Sequence, residues 1–184
     1  MENAKETWQI VFSGVGGQGL MLTGKLLGEA ATVHEGKKAV MTSAYGVETR
    51  GTFAKSDVII SSVEIDYPEV LKADVVIALA PVAYKKYVGS LEEGAILLYD
   101  SAIEEEASKA RQIRVSMAEA ASGVGNPYAV NIVALGTLVK LTGLVKEQSV
   151  ENAIKKEFQK NEKLAKLNIK AFNAGVSTYL TLQG

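Results

Sequence analysis

The chain of 184 residues contains no cysteine, one histidine, three prolines and one tryptophan. Without thiols it has no disulfide, no thiolate zinc site, no cysteine nucleophile and no cysteine-held iron–sulfur cluster. Any redox metal must therefore live on another chain. With His34 alone, a multi-histidine metal centre is excluded and a Ser-His-Asp triad has one residue to draw on. That histidine sits in VHEGKK, which reads as the exposed end of a helix. An excess of one charge is also missing: 20 Lys and Arg face 21 Asp and Glu, a net charge of −1. Nucleic acid and anionic membranes need a clustered positive field, so neither is an expected partner. The apolar runs fall short of the ~18 residues that suggest a membrane span, and MENAKETWQI lacks the apolar core of a signal peptide. A soluble, cytoplasmic protein is expected. No repeat or linker divides the chain, so residues 1–184 read as one domain, long enough to bury roughly two-thirds of its unfolded surface.

What is present is an alternation of strand and helix. Trp8 to Phe12 is a short β-rich run ending in glycine, and Gln18 to about Glu35 carries leucines at helical spacing. Gly24 and Gly28 lie four apart in that helix, where glycine costs about 1 kcal/mol against alanine; they imply close approach to a sheet or another helix. KKAVMTS reads as the second strand, AYGVETRGT as a glycine-flanked loop, and FAKSDVIISS as a third strand. ADVVIALA and GAILLYD are continuous apolar runs, as in strands covered on both faces. Pro81 opens a helix through VAYKKYVGSL, and QIRVSM is a further strand. AEAASGVGNPY leads into the apolar helix AVNIVALGTLVKLTGLV. Ser149 reads as the cap of VENAIKKEFQ, and a last helix runs from about Asn161 to Ala174. The expected class is α/β, three layers with helices on both faces of a mostly parallel sheet. Sites in such folds gather at the carboxyl ends of strands, which selects the glycine turn, the loop after the second strand, and the strand ends at Ala80 and Asp100.

In the stretch IVFSGVGGQGLMLTGKLL, four glycines fall within residues 14–19. Gly14, Gly16 and Gly19 fit G-x-G-x-x-G between a strand and a helix, the setting in which bare backbone brings an anion to amide hydrogens and to the positive end of a helix. A dinucleotide site also wants an acidic residue after the second strand, and this strand ends VMTSAYG, with Glu48 several residues beyond. The P-loop lysine is absent. The G-x-G-G-x-G of ubiquitin-activating-type adenylyltransferases is similar too, but those enzymes need further ATP partners and usually a zinc or a cysteine. A tight turn that permits close helix–sheet packing explains the glycines as well as any ligand does.

Taken together, SGVGGQG, SAYGVETRG and GNPYAVNIVALGTLVKLTGL closely resemble the gamma subunit, or gamma domain, of the 2-oxoacid:ferredoxin oxidoreductases. Its members read G-x-G-G-Q-G after the first strand, then S/T-x-x-Y-G-P-E-x-R-G-G, then an asparagine opening a helix rich in small residues. Ser13 to Gly19 match the first motif; Tyr45, Gly46, Glu48, Arg50 and Gly51 the second; Asn131, Leu135 and Gly136 the third. Val47 and Thr52 depart from the proline and the second glycine of the middle motif, which loosens the loop. EIDYPEVLKADVVIALAPVAYKKY looks most like the 2-oxoglutarate branch. The resemblance spans roughly residues 8–175 and implies a Rossmann-like gamma fold.

It also implies chemistry shared among chains. Thiamine diphosphate with magnesium lies between alpha and beta subunits and decarboxylates a 2-oxo acid. Electrons pass through iron–sulfur clusters, some on a ferredoxin-like delta subunit, to ferredoxin, and the acyl group leaves on coenzyme A. The gamma chain would bind no cofactor by itself, hold no catalytic residue, be inactive alone, and in isolation could form a homodimer. The site residues it implies, on the coenzyme A side or at the subunit interface, are Gly14, Gly16, Gly17, Gln18, Gly19, Tyr45, Glu48, Arg50 and Asn131. Arg50 offers a fixed fork of donors to a phosphate or carboxylate, or an ion pair to Glu48. Tyr45 suits an adenine stack or an interface plug, and Asn131 a buried turn or a ligand. EIDYPE and IEEEASKAR read as solvated surface, and Lys85 and Lys86 as solvated or phosphate-facing. A stand-alone nucleotide-binding dehydrogenase and a regulatory module are the alternatives.

Overall fold

Strand β1 (Thr7–Val15) runs at the centre of a six-stranded sheet with β2 (Lys38–Tyr45), β3 (Phe53–Ser61), β4 (Val75–Ala78), β5 (Ile96–Asp100) and β6 (Arg111–Val115). The helices are α1 (Leu20–Glu35), α2 (Pro81–Val88), α3 (Met117–Gly123), α4 (Val130–Thr142), α5 (Glu147–Glu157) and α6 (Glu162–Gln183). This computed structural model describes residues 5–45 and 52–183. The sheet order is β2-β3-β1-β4-β5-β6. β4, β5 and β6 continue from β1 in parallel, whereas β3 is antiparallel to both β1 and β2. Five strands thus share one direction and the sheet is mostly parallel, as expected. The reversed strand is not readable from composition, because a short polar loop suits a hairpin and a strand-to-helix exit equally well.

Alternate residues of the central strands face two apolar layers, since side chains along a strand point to opposite sides. Ile10, Phe12, Val58, Ile60, Val75, Ile77 and Leu98 meet α1 and α3–α6 on one side. Val11, Val76, Ala78, Leu97 and Tyr99 meet α2 on the other. Helix α4 is buried at every position from Asn131 to Val139, which is why its sequence is apolar all round rather than along a stripe. Gly143 closes it in the left-handed conformation, at φ 62°. Gly24 is glycine for packing: a Cβ there would lie 2.6 Å from Ser56 Oγ and 2.9 Å from Met41 Sδ. At Gly28 the nearest atom, Ala39 Cβ, would be at an ordinary 3.9 Å, so α1 touches the sheet most closely near its start.

Four expectations need correction. AEAASGVGNPY is not merely a connection but contains α3. Ser149 is not the cap of α5; it lies inside the first turn, after the N-cap Lys146. The carboxylate of Glu35 accepts the Lys146 amide at 2.6 Å, so the cap comes from the end of α1 and not from a local side chain. The last helix passes Ala174 and runs to Gln183, because Gly175 is a packing position on it rather than a stop. Finally, IEEEASKAR is not all solvated surface. Tyr99, held fully buried, donates its hydroxyl proton to Glu105, and the Glu106 amide donates to the Tyr84 hydroxyl at 2.8 Å. Two tyrosines whose rings meet 4.9 Å apart, tilted by 50°, therefore strap this loop to the second apolar layer.

Candidate functional site

The carboxyl end of β1 feeds the turn Val15–Gly19 and then α1. Gly17 and Gly19 hold φ of 94° and 72°, a region that side chains other than glycine adopt at a cost. The Gln18 side chain folds back into the turn: its Oε1 accepts the Val15 amide at 2.8 Å and its Nε2 donates to the Leu79 carbonyl at 3.0 Å. A Cβ on Gly14 would sit 2.2 Å from that Oε1. Gln18 is thus a latch between β1 and the exit of β4, and both ends of its carboxamide are engaged. The Leu79 amide donates to the Ser13 carbonyl at 2.9 Å and the Ser13 hydroxyl to the Ile77 carbonyl at 2.8 Å, which fixes the same two strand ends.

Asn131 reaches the turn from α4. Its Nδ2 donates to the Gly19 carbonyl at 3.1 Å and to Thr23 Oγ1 at 3.0 Å. A Cβ at Gly19 would stand 2.5 Å from that nitrogen. The first and third motifs, 112 residues apart, are therefore one packed unit. The middle motif is anchored beside them: Gly14 pairs with Ala54, Tyr45 pairs with Ala54 across β3, and the Gly16 amide donates to the Thr52 carbonyl at 3.2 Å. Glu48 and Arg50 lie outside the described residues.

A groove of about 310 Å³ runs along the turn, lined by Val15 to Met21 with Ala54 and Lys55. Its one basic side chain among the described residues, Lys55, is paired with Asp57 at 2.5 Å. Burial, and then the Asp57 charge, pushes Tyr87 up to about 12. Its phenol stays protonated at neutral pH and is no base. At the other strand ends, Ala80 is the extended N-cap of α2. Asp100 accepts the Ala102 and Ala118 amides at 3.0 and 2.9 Å, shaping the next turn. Lys86 packs over the Phe53 ring at 4.0 Å, while Lys85 is exposed. No group of three or more His, Asp or Glu able to hold a metal occurs among the described residues, and no described helix is long and apolar enough to cross a membrane.

The sheet order separates this turn from a dinucleotide site. There the residue holding the ribose ends the strand next to the first; here β3 lies between, placing the end of β2 about 9.6 Å away at two strand spacings. A sequence profile described as pyruvate ferredoxin/flavodoxin oxidoreductase matches residues 9–178. The chain belongs to that family. Within it, the 2-oxoglutarate synthase subunit KorC of Methanocaldococcus jannaschii is 38% identical over 173 residues, covering 91% of each chain. The ketoisovalerate oxidoreductase subunit VorA of Methanothermobacter marburgensis is 34% identical and covers 91% of this chain but 35% of its own length. The solved keto/oxoacid ferredoxin oxidoreductase gamma subunit of Geobacter sulfurreducens superposes with a TM-score of 0.83 at 36% identity, covering 96% of this chain and 98% of that one. The same oxidoreductase fold thus occurs as a separate chain and as one part of a longer one.

Residues that sequence reasoning passed over stand around the turn. Thr23 completes the Asn131 contact, with its hydroxyl donating to the Gly19 carbonyl at 3.0 Å. Met21, Val82 and Tyr128 are exposed apolar side chains at the same end of this oxidoreductase subunit fold. A tyrosine after proline, just before an apolar helix, was the one signal available for the last of them.

Proposed function

We propose that the chain is the gamma subunit of a 2-oxoglutarate:ferredoxin oxidoreductase, working with alpha and beta subunits in the oxidative decarboxylation of 2-oxoglutarate to an acyl-coenzyme A. The observation that carries this reading is the reciprocal 91% coverage at 38% identity with the 2-oxoglutarate synthase subunit KorC. The chain's own chemistry agrees. With no cysteine it offers no thiolate to a cluster, so iron–sulfur chemistry belongs to partner chains, and this reading assigns thiamine diphosphate and magnesium to them as well. The described side chains at the turn are engaged in holding it rather than set to transfer protons. Arg50, with Glu48 and Tyr45, is assigned to the coenzyme A side, where a guanidinium fork suits a phosphate.

The experiment is co-expression with the partner chains and an assay of coenzyme A-dependent acceptor reduction with 2-oxoglutarate, pyruvate and 3-methyl-2-oxobutanoate. Turnover that requires all chains and favours 2-oxoglutarate is expected. Preference for another 2-oxo acid overturns the substrate, and turnover by the single chain overturns the subunit reading. Arg50→Ala in the assembled enzyme is expected to raise KM for coenzyme A more than it alters decarboxylation; unchanged kinetics of both half-reactions remove that role.

A further inference from the structure

Strand β2 ends the sheet order, and among the described residues no strand pairs with its outer side. Free edges are ordinarily guarded by brevity, charge, proline or a bulge. The opposite edge, β6, is guarded: it has five residues, two of them the exposed Arg111 and Arg114. β2 is not. Its eight residues, KAVMTSAY, carry one charge, Lys38 at the very start, and pair with β3 in unbroken register. On the side of the sheet that carries α1, a groove of about 340 Å³ runs along this edge, with Ala39 and Met41 on the strand and Gly28 and Val33 on the helix. Val33 is 59% exposed and Met41 39%. The rim is neutral, with Lys25 paired to Glu157 at 2.5 Å and Lys156 to Glu29 at 2.8 Å. Gly28 has no use inside the chain: its φ is not positive and a Cβ would meet only Ala39 Cβ, at an ordinary 3.9 Å, yet glycine weakens a helix interior.

We infer that β2 is the seam of a two-fold dimer of this chain, in which the edges of two copies pair antiparallel about an axis near Val40 and join the sheets into one. The inference goes beyond the gamma-subunit reading and does not rest on it. Two features select a second copy. Antiparallel pairing of identical edges is self-complementary, so one contact satisfies both rows of backbone groups. About Val40 it sets Lys38 against Thr42 and Ala39 against Met41 of the other copy, which brings the α1 sides together and opposes no like charges. The helices then meet as well. A Cβ on Gly24 would touch Met41 of β2 and Ser56 and Val58 of β3, so α1 lies over the gap between those strands and its mate would lie about two strand spacings away, ~9.6 Å, turned by about −40 to −50° by the sheet twist. Helices pack at about 8–10 Å, and about −50° is the angle for rows of residues four apart. Gly24, Gly28 and Thr32 form such a row, and Gly28 stands level with Ala39, beside the axis, where bare backbone lets the helices close. The paired stretch, Lys38 to Thr42, and both helices lie wholly within the described residues.

The test uses the full chain, purified alone, in sedimentation equilibrium over a range of concentrations. A dimer is expected. Thr42→Lys sets a lysine against Lys38 of the other copy on both sides of the axis, while Asp57, opposite it on β3, accepts the charge within one chain; it should weaken dimerisation about tenfold. Gly28→Gln fills the groove and should weaken it at least as much. Arg111→Thr, on β6, should leave it within about twofold. The far-ultraviolet circular dichroism of all three should remain that of the unsubstituted chain. Because the sequence has no cysteine, Val40→Cys supplies a lone thiol at the axis, where opposed residues stand about 4.5–5.5 Å apart, within disulfide reach. Oxidised glutathione should link two copies of that variant and should not link Arg111→Cys. A monomer at every concentration, or a dimer that neither Thr42→Lys nor Gly28→Gln weakens, overturns the inference and leaves the gamma-subunit reading standing. Linking of Arg111→Cys as readily as Val40→Cys overturns it too. If the chain alone is monomeric and the same two variants weaken assembly with the partner subunits, the edge takes a strand from a partner and the inference falls.

Discussion

Gly136 of α4 and Gly175 of α6 meet backbone to backbone. A Cβ on Gly136 would lie 2.0 Å from the Phe172 carbonyl oxygen, and one on Gly175 would lie 2.0 Å from the Val133 carbonyl oxygen. The Thr137 hydroxyl bridges the crossing, donating to the Gly175 carbonyl at 3.1 Å. Neither obstacle is a flexible side chain, so the helices themselves must part. Gly136→Ala or Gly175→Ala is expected to cost about 3 kcal/mol, the upper range for overpacking. Gly89→Ala, at φ −93° with nothing within 4 Å, should be neutral or slightly stabilising. Urea unfolding of the three variants checks this; equal midpoints would show that the crossing yields freely.

Asn131 joins α4 to the start of α1, and its substitution separates a structural tie from a ligand contact. Asn131→Ala removes the donor to the Gly19 carbonyl and Thr23 Oγ1, with an expected loss of about 2 kcal/mol. Asn131→Asp should cost more, because a buried carboxylate facing a carbonyl oxygen repels it and has no proton to donate. Amide exchange in the first turn of α1 should accelerate in both variants. If thermal melting ranks Asp as the milder change, the nitrogen is not what the position requires.

Most of the fold was legible in residue pattern because its cause is local. Continuous apolar runs marked the central strands, and Pro81 and Gly143 marked a helix start and a helix end. What could not be read has causes distant in sequence. The reversal of β3 depends on which strand it pairs with; the cap of α5 comes from Glu35, 111 residues before Lys146; and Gly175 gains its meaning only from Val133 across a helix crossing. The site divides in the same way. Its three motifs were visible, but that Gln18 and Asn131 spend their hydrogen bonds inside the turn required the tertiary contacts, and Tyr128 shows no sequence period to distinguish it from other loop residues.

Glu35 makes stability depend on acid. Burial would raise its pKa, but the Lys146 amide, Lys37 and the Ser149 hydroxyl together hold the carboxyl below the ordinary carboxylate value. A group depressed in the folded state contributes stability above its unfolded pKa of about 4.3 and loses it as pH falls through the folded value. Glu35→Gln should therefore be less stable than the unsubstituted chain at pH 7, and the gap should narrow progressively as pH falls from about 4 towards 2. Guanidinium unfolding across that range measures it. A gap that persists at pH 2 would mean that packing, and not charge, is what Glu35 provides.

The Gln18 latch predicts a non-additive pair. Gly14→Ala drives a methyl into Gln18 Oε1, and the carboxamide can leave only by releasing the Val15 amide and the Leu79 carbonyl. Gln18→Ala alone releases the same two groups, and once they are free the methyl at position 14 meets nothing closer than Leu79 Cβ at 3.5 Å. Each single variant is expected to lose about 1–2 kcal/mol, and the double variant little more than either, giving a coupling of about 1 kcal/mol in a double-mutant cycle. Chemical denaturation of the four proteins supplies the cycle. Simple addition of the two losses would show that Gly14 is glycine for a reason other than room for Gln18.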